Sequence, residues 1–201
     1  MIETYIKEKI IGENFFEIYS NTTENDILKN VSYVKTVKIE KSIRNKVILF
    51  VEIYKPKSVA YVKSNKCYLL SSEGIVLEEL CSEGDTACCT EYSTTNNLYF
   101  FSSSDVDIAE IQDEKKKLLV MEDIDKIVMI IETFGYSIKN ITLDNNLIEI
   151  TDTQNHISKF SISYDIDTQL QRYYAVMGKI KNDSISFTSL DVRFERPVMK
   201  N

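Results

Sequence analysis

Residues 34–62 read VKTVKIEKSIRNKVILFVEIYKPKSVAYV: two apolar runs, a polar reversal between them, and a Lys-Pro exit. Val37 and Ile39 flank Lys38 and are followed by Glu40, the period of two that places alternate side chains on one face of a half-buried strand. Val47, Ile48, Leu49, Phe50 and Val51 form a near-continuous apolar run, which predicts a strand covered on both faces. Lys41–Asn45 is short and polar and reads as the connection of a hairpin. Pro56 lacks an amide hydrogen and has no place inside a paired central strand, so the sheet of this unit is expected to end near it.

Working outward toward the N-terminus, ETYIKEKIIG (residues 3–12) reads as a short helix stopped by Gly12. Phe15, Phe16 and Ile18 make a brief apolar link. Thr23 then opens Thr-Glu-Asn-Asp, a start resembling a capping box, with Ile27, Leu28 and Val31 as the apolar side of the helix that follows. Helix, link, helix, strand, strand over about 55 residues makes a small α/β module.

After Pro56 the pattern becomes antiparallel sheet. Ala60–Val62 is a short strand. Cys67–Leu70 and Ile75–Leu77 flank the turn Ser71-Ser72-Glu73-Gly74, where glycine supplies the positive φ. Pairing Leu70 with Ile75 sets Cys67 opposite Glu78, with Cys81 a few residues beyond and a Cys67–Cys81 bridge within reach. Residues 81–97, rich in Ser, Thr, Asn and Gly, read as a long loop before a strand at Leu98–Phe101. Between Leu118 and Phe134 the residues Ile124, Ile127, Val128, Ile131 and Phe134 fall at helical spacing, ended by Gly135. Three strands follow, Ser137–Leu143, Leu147–Thr151 and His156–Ile162, joined by Asp-Asn-Asn and Asp-Thr-Gln-Asn turns. Asp165 or Asp167 caps a last helix carrying Ile166, Leu170, Tyr173, Tyr174, Met177 and Ile180. Residues 184–194 are expected to close the chain as a strand.

The 201 residues are 43% hydrophobic and 27% charged, the make-up of ordinary globular protein. A net charge of −7 with mixed signs along the chain argues against nucleic acid or an anionic membrane surface as partner. No apolar run approaches the roughly 18 residues that cross a bilayer. The start, MIETYIKEKI, interrupts its apolar residues with charges and is no signal peptide. The chain is therefore either soluble and cytoplasmic or an ectodomain parted from its anchor.

Chemistry-bearing patterns are sparse. Five scattered glycines cannot build a phosphate loop. His156 is the only imidazole and reads as an exposed turn residue, which removes Ser-His-Asp triads and His-rich metal sites. The four cysteines, Cys67, Cys81, Cys88 and Cys89, fit disulfides in an oxidising compartment and fit free thiols as well. A zinc site is disfavoured because no C-x₂-C spacing occurs and His156 is distant. The pairs Glu78/Glu79 and Asp123/Asp125 read as solvated faces. The expectation is a non-enzymatic protein without catalytic residues, cofactor or metal.

Three stretches in order resemble the extracytoplasmic region of the bacterial division proteins FtsQ and DivIB. Val34–Ile39, Val47–Ile53 and Lys55-Pro56…Val59-Ala60-Tyr61 are similar to two strands and the crossing into a second domain. Tyr68–Leu77, YLLSSEGIVL, is similar to the family's "Y-L-I-D-x-x-G-V-V-L" hairpin. Leu190–Val198, LDVRFERPV, is similar to the terminal "I-D-L-R-F-x-x-R-P-V" strand. The family's cytoplasmic tail, membrane helix and first POTRA strand are not in these residues, which implies that Met1 begins a truncated chain. Lys57-Ser58 interrupt the crossing motif, and the cysteine segment has no counterpart in the pattern.

The resemblance implies an α+β fold: a POTRA-like α/β module over residues 1–57, then a larger, mostly antiparallel β-domain with two helices over 58–201. It implies a scaffold of the division complex at the septum, anchored by a single membrane pass absent from this chain, binding FtsB/DivIC-like and FtsL-like proteins. Physically, a chain without catalytic groups that ends in an alternating strand offers an unpaired sheet edge for strand addition. The partner is expected beside Ser186–Arg196, contacting Ser186, Phe187, Asp191, Arg193, Phe194 and Arg196. Phe194 would be the apolar anchor and the arginines would pair with acidic residues; Asp191 and Arg193 alternatively form only a surface ion pair. The alternatives are a secreted or surface module binding peptidoglycan or another envelope protein, and a cytoplasmic thiol enzyme using Cys88 or Cys89.

Overall fold

The computed structural model of the protein describes residues 20–42, 46–104 and 120–201. The expected helix at 3–12, the link at Phe15–Ile18 and most of the Lys41–Asn45 reversal lie outside the described residues. The chain forms two compact units, Met1–Lys55 and Pro56–Asn201.

In the first unit, helix α1 (Ser20–Asn30) precedes the antiparallel strands β1 (Val34–Ser42) and β2 (Lys46–Ile53). The helix begins one turn before Thr23, so Thr23 lies inside it and is no cap. Ile27 and Val31 pack on Val34 and Val37 of β1, with Leu49 of β2 partly buried against them. Glu24 accepts the Ile39 amide at 2.6 Å and ties helix to strand. Burial alternates along β1 as its sequence predicts. The β2 expectation is corrected: Ile48 and Phe50 are about half exposed, and Val51 and Ile53 are exposed as well. The cause is architectural. This sheet has two strands among the described residues, and α1 covers one face of it.

The second unit is a nine-stranded mixed sheet, ordered β11-β10-β9-β8-β7-β6-β3-β4-β5. Its strands are β3 (Pro56–Tyr61), β4 (Cys67–Ser71), β5 (Val76–Cys81), β6 (Tyr99–Ser103), β7 (Ile138–Asp144), β8 (Leu147–Asp152), β9 (Ile157–Ser161), β10 (Ser189–Asp191) and β11 (Val198–Lys200). The pairs β3–β6, β6–β7 and β9–β10 are parallel and the others antiparallel. The protein is thus α+β with a mostly antiparallel sheet. Pro56 is the first residue of β3, a position where the missing amide costs no ladder bond.

Among the described residues three helices accompany this sheet where two were expected: α2 (Thr86–Thr95), α3 (Met121–Thr133) and α4 (Ile166–Asp183). Helices α3 and α4 cover one face. Ile124, Ile127, Val128 and Ile131 from α3, and Tyr173, Met177 and Ile180 from α4, meet Phe101, Ile141, Leu143, Ile148, Ile150, Phe160 and Leu190 of the sheet. Asp165 caps α4 by accepting the Thr168 amide at 2.7 Å. Gln169, fully buried, accepts the Ser161 amide and donates to the Ser161 carbonyl, both at 2.8 Å, so one side chain completes the end of β9 as a neighbouring strand would. Asn145 and Asn146, at φ 47° and 64°, make the tight β7–β8 turn.

Residues 86–95 are a helix, which corrects the expected loop. Asp85 accepts the Cys88 amide at 2.9 Å and caps it. Cys89 and Ser93 are its only buried residues, so the segment carries no apolar stripe of the kind that announces a helix. Tyr68 of β4 faces the α3–α4 core, and Cys67 beside it therefore points to the opposite face. Helix α2 docks there through disulfides Cys67–Cys89 and Cys81–Cys88. A Cys67–Cys81 bridge does not form, although register shifts in β4–β5 bring these two residues opposite each other. The shifts also pair Leu70 with Val76 rather than Ile75. No cysteine is free among the described residues, which removes the thiol nucleophile reading of Cys88 and Cys89.

Candidate partner-binding edge

The closing strand is much shorter than its alternation predicts. Three residues, Ser189–Asp191, pair parallel with β9, and their other side is taken by β11 running antiparallel. Between β10 and β11 the chain reverses over residues 192–197. Val192, fully buried, anchors this bend: its amide donates to the Lys159 carbonyl at 3.1 Å, and its carbonyl accepts from Arg172 Nη1 at 3.5 Å. Among the described residues the sheet consequently ends at β11, with β5 at its other end, and not at the 186–196 stretch, a correction that follows from β10 stopping at Asp191 and the bend carrying the chain back to Val198.

The six residues expected at the interface divide accordingly. Phe187 is buried, stacked on His156 with centroids 4.4 Å apart and met edge-on by Tyr136, so it is part of the core. Ser186 is exposed but belongs to no strand. Asp191 and Arg193 form a two-pronged pair, Nε to Oδ1 at 2.9 Å and Nη2 to Oδ2 at 2.7 Å, and the Arg193 amide adds a third bond at 3.2 Å. Burial alone would raise the Asp191 carboxyl, but the Arg193 hydrogen bonds and charge hold it below the ordinary value. The pair shapes the bend. Arg193 also lies over the Phe194 ring, 5.3 Å from its centroid. Phe194 is 52% exposed, and Arg196 is exposed beside it. Val198 and Met199 of the edge strand are also exposed.

One feature is not evident in the sequence reading. Asp152 is buried, with Oδ1 accepting the Gln154 and His156 amides and Oδ2 held 2.8 Å from His156 Nδ1. His156 is thus a tethered, largely covered residue rather than an exposed turn histidine; the signal was an Asp four residues before it at a hairpin. Of the two tyrosines placed on the apolar side of the last helix, Tyr173 is core and Tyr174 is exposed. The rings of Tyr136 and Phe187 pack against His156. Among the described residues no helix is long and apolar enough to cross a membrane. No protein-family model matches the chain, and no curated protein matches it.

Proposed function

We propose that this chain is a non-enzymatic scaffold of the FtsQ/DivIB type, with residues 1–55 the remainder of a POTRA-like module and 56–201 the β-domain. In this reading the chain is extracytoplasmic at the division septum and held by a membrane segment outside these residues. It binds FtsB/DivIC-like and FtsL-like proteins by strand addition. The observation that carries the reading is the end of the nine-stranded sheet: β11 is three residues long, exposed throughout, and carries Val198 and Met199 beside the exposed Phe194. An edge strand presents a row of backbone donors and acceptors, and an exposed aromatic next to it gives an incoming strand a side-chain anchor. Arg196 adds a cation for acidic partner residues.

The test is direct titration with the soluble part of the FtsB/DivIC-like protein. Phe194→Asp stays folded, because its side chain is outside the core, and loses binding. Unchanged affinity refutes the assignment. The alternative, a surface module for peptidoglycan, draws on a cleft of about 450 Å³ with a largely apolar lining that includes Tyr61, Val62 and Leu143, and with Asn65, Ser102 and Asp144 as its polar groups. Co-sedimentation with purified peptidoglycan, abolished by Asp144→Ala and untouched by Phe194→Asp, would select that reading.

A further inference from the structure

We propose that the four cysteines, once reduced, bind one zinc ion as a tetrathiolate, so that helix α2 is held to the sheet by either of two closures. This is independent of the division reading and rests on where the sulfurs lie. The Sγ atoms of Cys67, Cys81 and Cys89 are all within 4.8 Å of one another, and that of Cys88 is bonded to Cys81. Three sulfurs therefore lie around one point, and the fourth is joined to one of them. Zn–S bonds of about 2.3 Å in a tetrahedron set the sulfurs roughly 3.8 Å apart, a spacing reached here by side-chain rotation once the S–S bonds open.

The ligands come from three elements. Cys67 and Cys81 face each other from adjacent strands. Cys88 and Cys89 are consecutive in the first turn of α2, where successive side chains diverge by about 100° and reach toward different strands. Cys67, Cys81 and Cys89 are buried and Cys88 half-buried, which shields the centre from water. The helix also needs a closure: it buries Cys89 and Ser93 alone, too little apolar surface to dock unaided.

The chemistry balances. A dithiol or phosphine reductant gives two electrons to each disulfide, and two protons per disulfide complete four thiols. One Zn²⁺ then displaces four protons and leaves a centre of net charge −2.

The experiment uses the full chain, reduced with a phosphine under nitrogen and titrated with Co²⁺ and then Zn²⁺. The expected result is a thiolate-to-cobalt charge-transfer band and tetrahedral d–d bands saturating at one equivalent, lost when Zn²⁺ is added. One equivalent of Zn²⁺ also restores the melting temperature lowered by reduction. Cys88→Ser binds at least about tenfold more weakly. Absence of a saturable one-to-one complex, equal affinity of Cys88→Ser and wild type, or equal affinity of the urea-unfolded chain overturns the proposal.

Discussion

Removing the two disulfides separately should cost unequal amounts, and the order follows from how they nest. Cys67–Cys89 spans 22 residues and encloses Cys81–Cys88, which spans 7. With the inner bridge kept, it short-circuits the outer loop to about 15 residues, and chain-entropy bookkeeping gives about 3 kcal/mol for the outer bridge. The inner loop, with the outer bridge kept, is worth about 2.4 kcal/mol. Packing widens the gap, since Cys67 and Cys89 are both buried and Cys88 is not. The oxidised Cys67→Ala/Cys89→Ala pair should therefore lose about 3–4 kcal/mol, and Cys81→Ala/Cys88→Ala about 2–3 kcal/mol. Urea unfolding followed by circular dichroism reads the difference, a loss of 3 kcal/mol moving the midpoint by roughly 1–3 M. If the inner pair costs over about 1 kcal/mol more than the outer, or neither moves the midpoint, the account of how α2 is held is wrong.

Gln169→Ala should cost about 2–4 kcal/mol in the same assay, because it strands the buried amide and carbonyl of Ser161; a loss under 1 kcal/mol would mean that water replaces the side chain. Alkaline titration tests the core: burial pushes the Tyr173 hydroxyl up to about 12, from an ordinary 10.0. A raised folded-state pKa gives stability that is intact below pH 10 and is lost as pH rises to 12, on the order of 2–3 kcal/mol. Thermal melts with tyrosinate absorbance should show Tyr173→Phe losing less over that window than wild type. An equal loss in both would assign the alkaline transition to other groups.

Much of the second unit was legible because its signals are local. Strands β7, β8 and β9 alternate with a period of two, and paired asparagines at positive φ mark the first turn between them. Asp165 stands where a helix cap belongs, and the α3 stripe ends at Gly135 with φ 81°. Helix α2 was hidden because its docking depends on bridges to residues 7 and 22 positions away rather than on its own periodicity. The apolar run of β2 resembles a doubly covered strand, since β-branched residues suit a pleated surface whether or not a second layer covers it. At the C-terminus, the alternation of Ile185, Phe187, Leu190, Val192 and Phe194 spans buried and exposed positions in two segments and a bend. Pro197 was the local sign of that reversal. The edge strand therefore lies a few residues beyond the stretch whose alternation announces it, and Phe194 is exposed where Phe187 is buried.

The most direct test of the scaffold reading is amide hydrogen exchange on the full chain, with and without the soluble part of the FtsB/DivIC-like partner. Strand addition at the sheet end predicts new protection at Val198–Lys200 and in the 192–197 bend, with the opposite edge strand, Val76–Cys81, unchanged. Protection confined to Val76–Cys81, or none anywhere in the second unit, contradicts it.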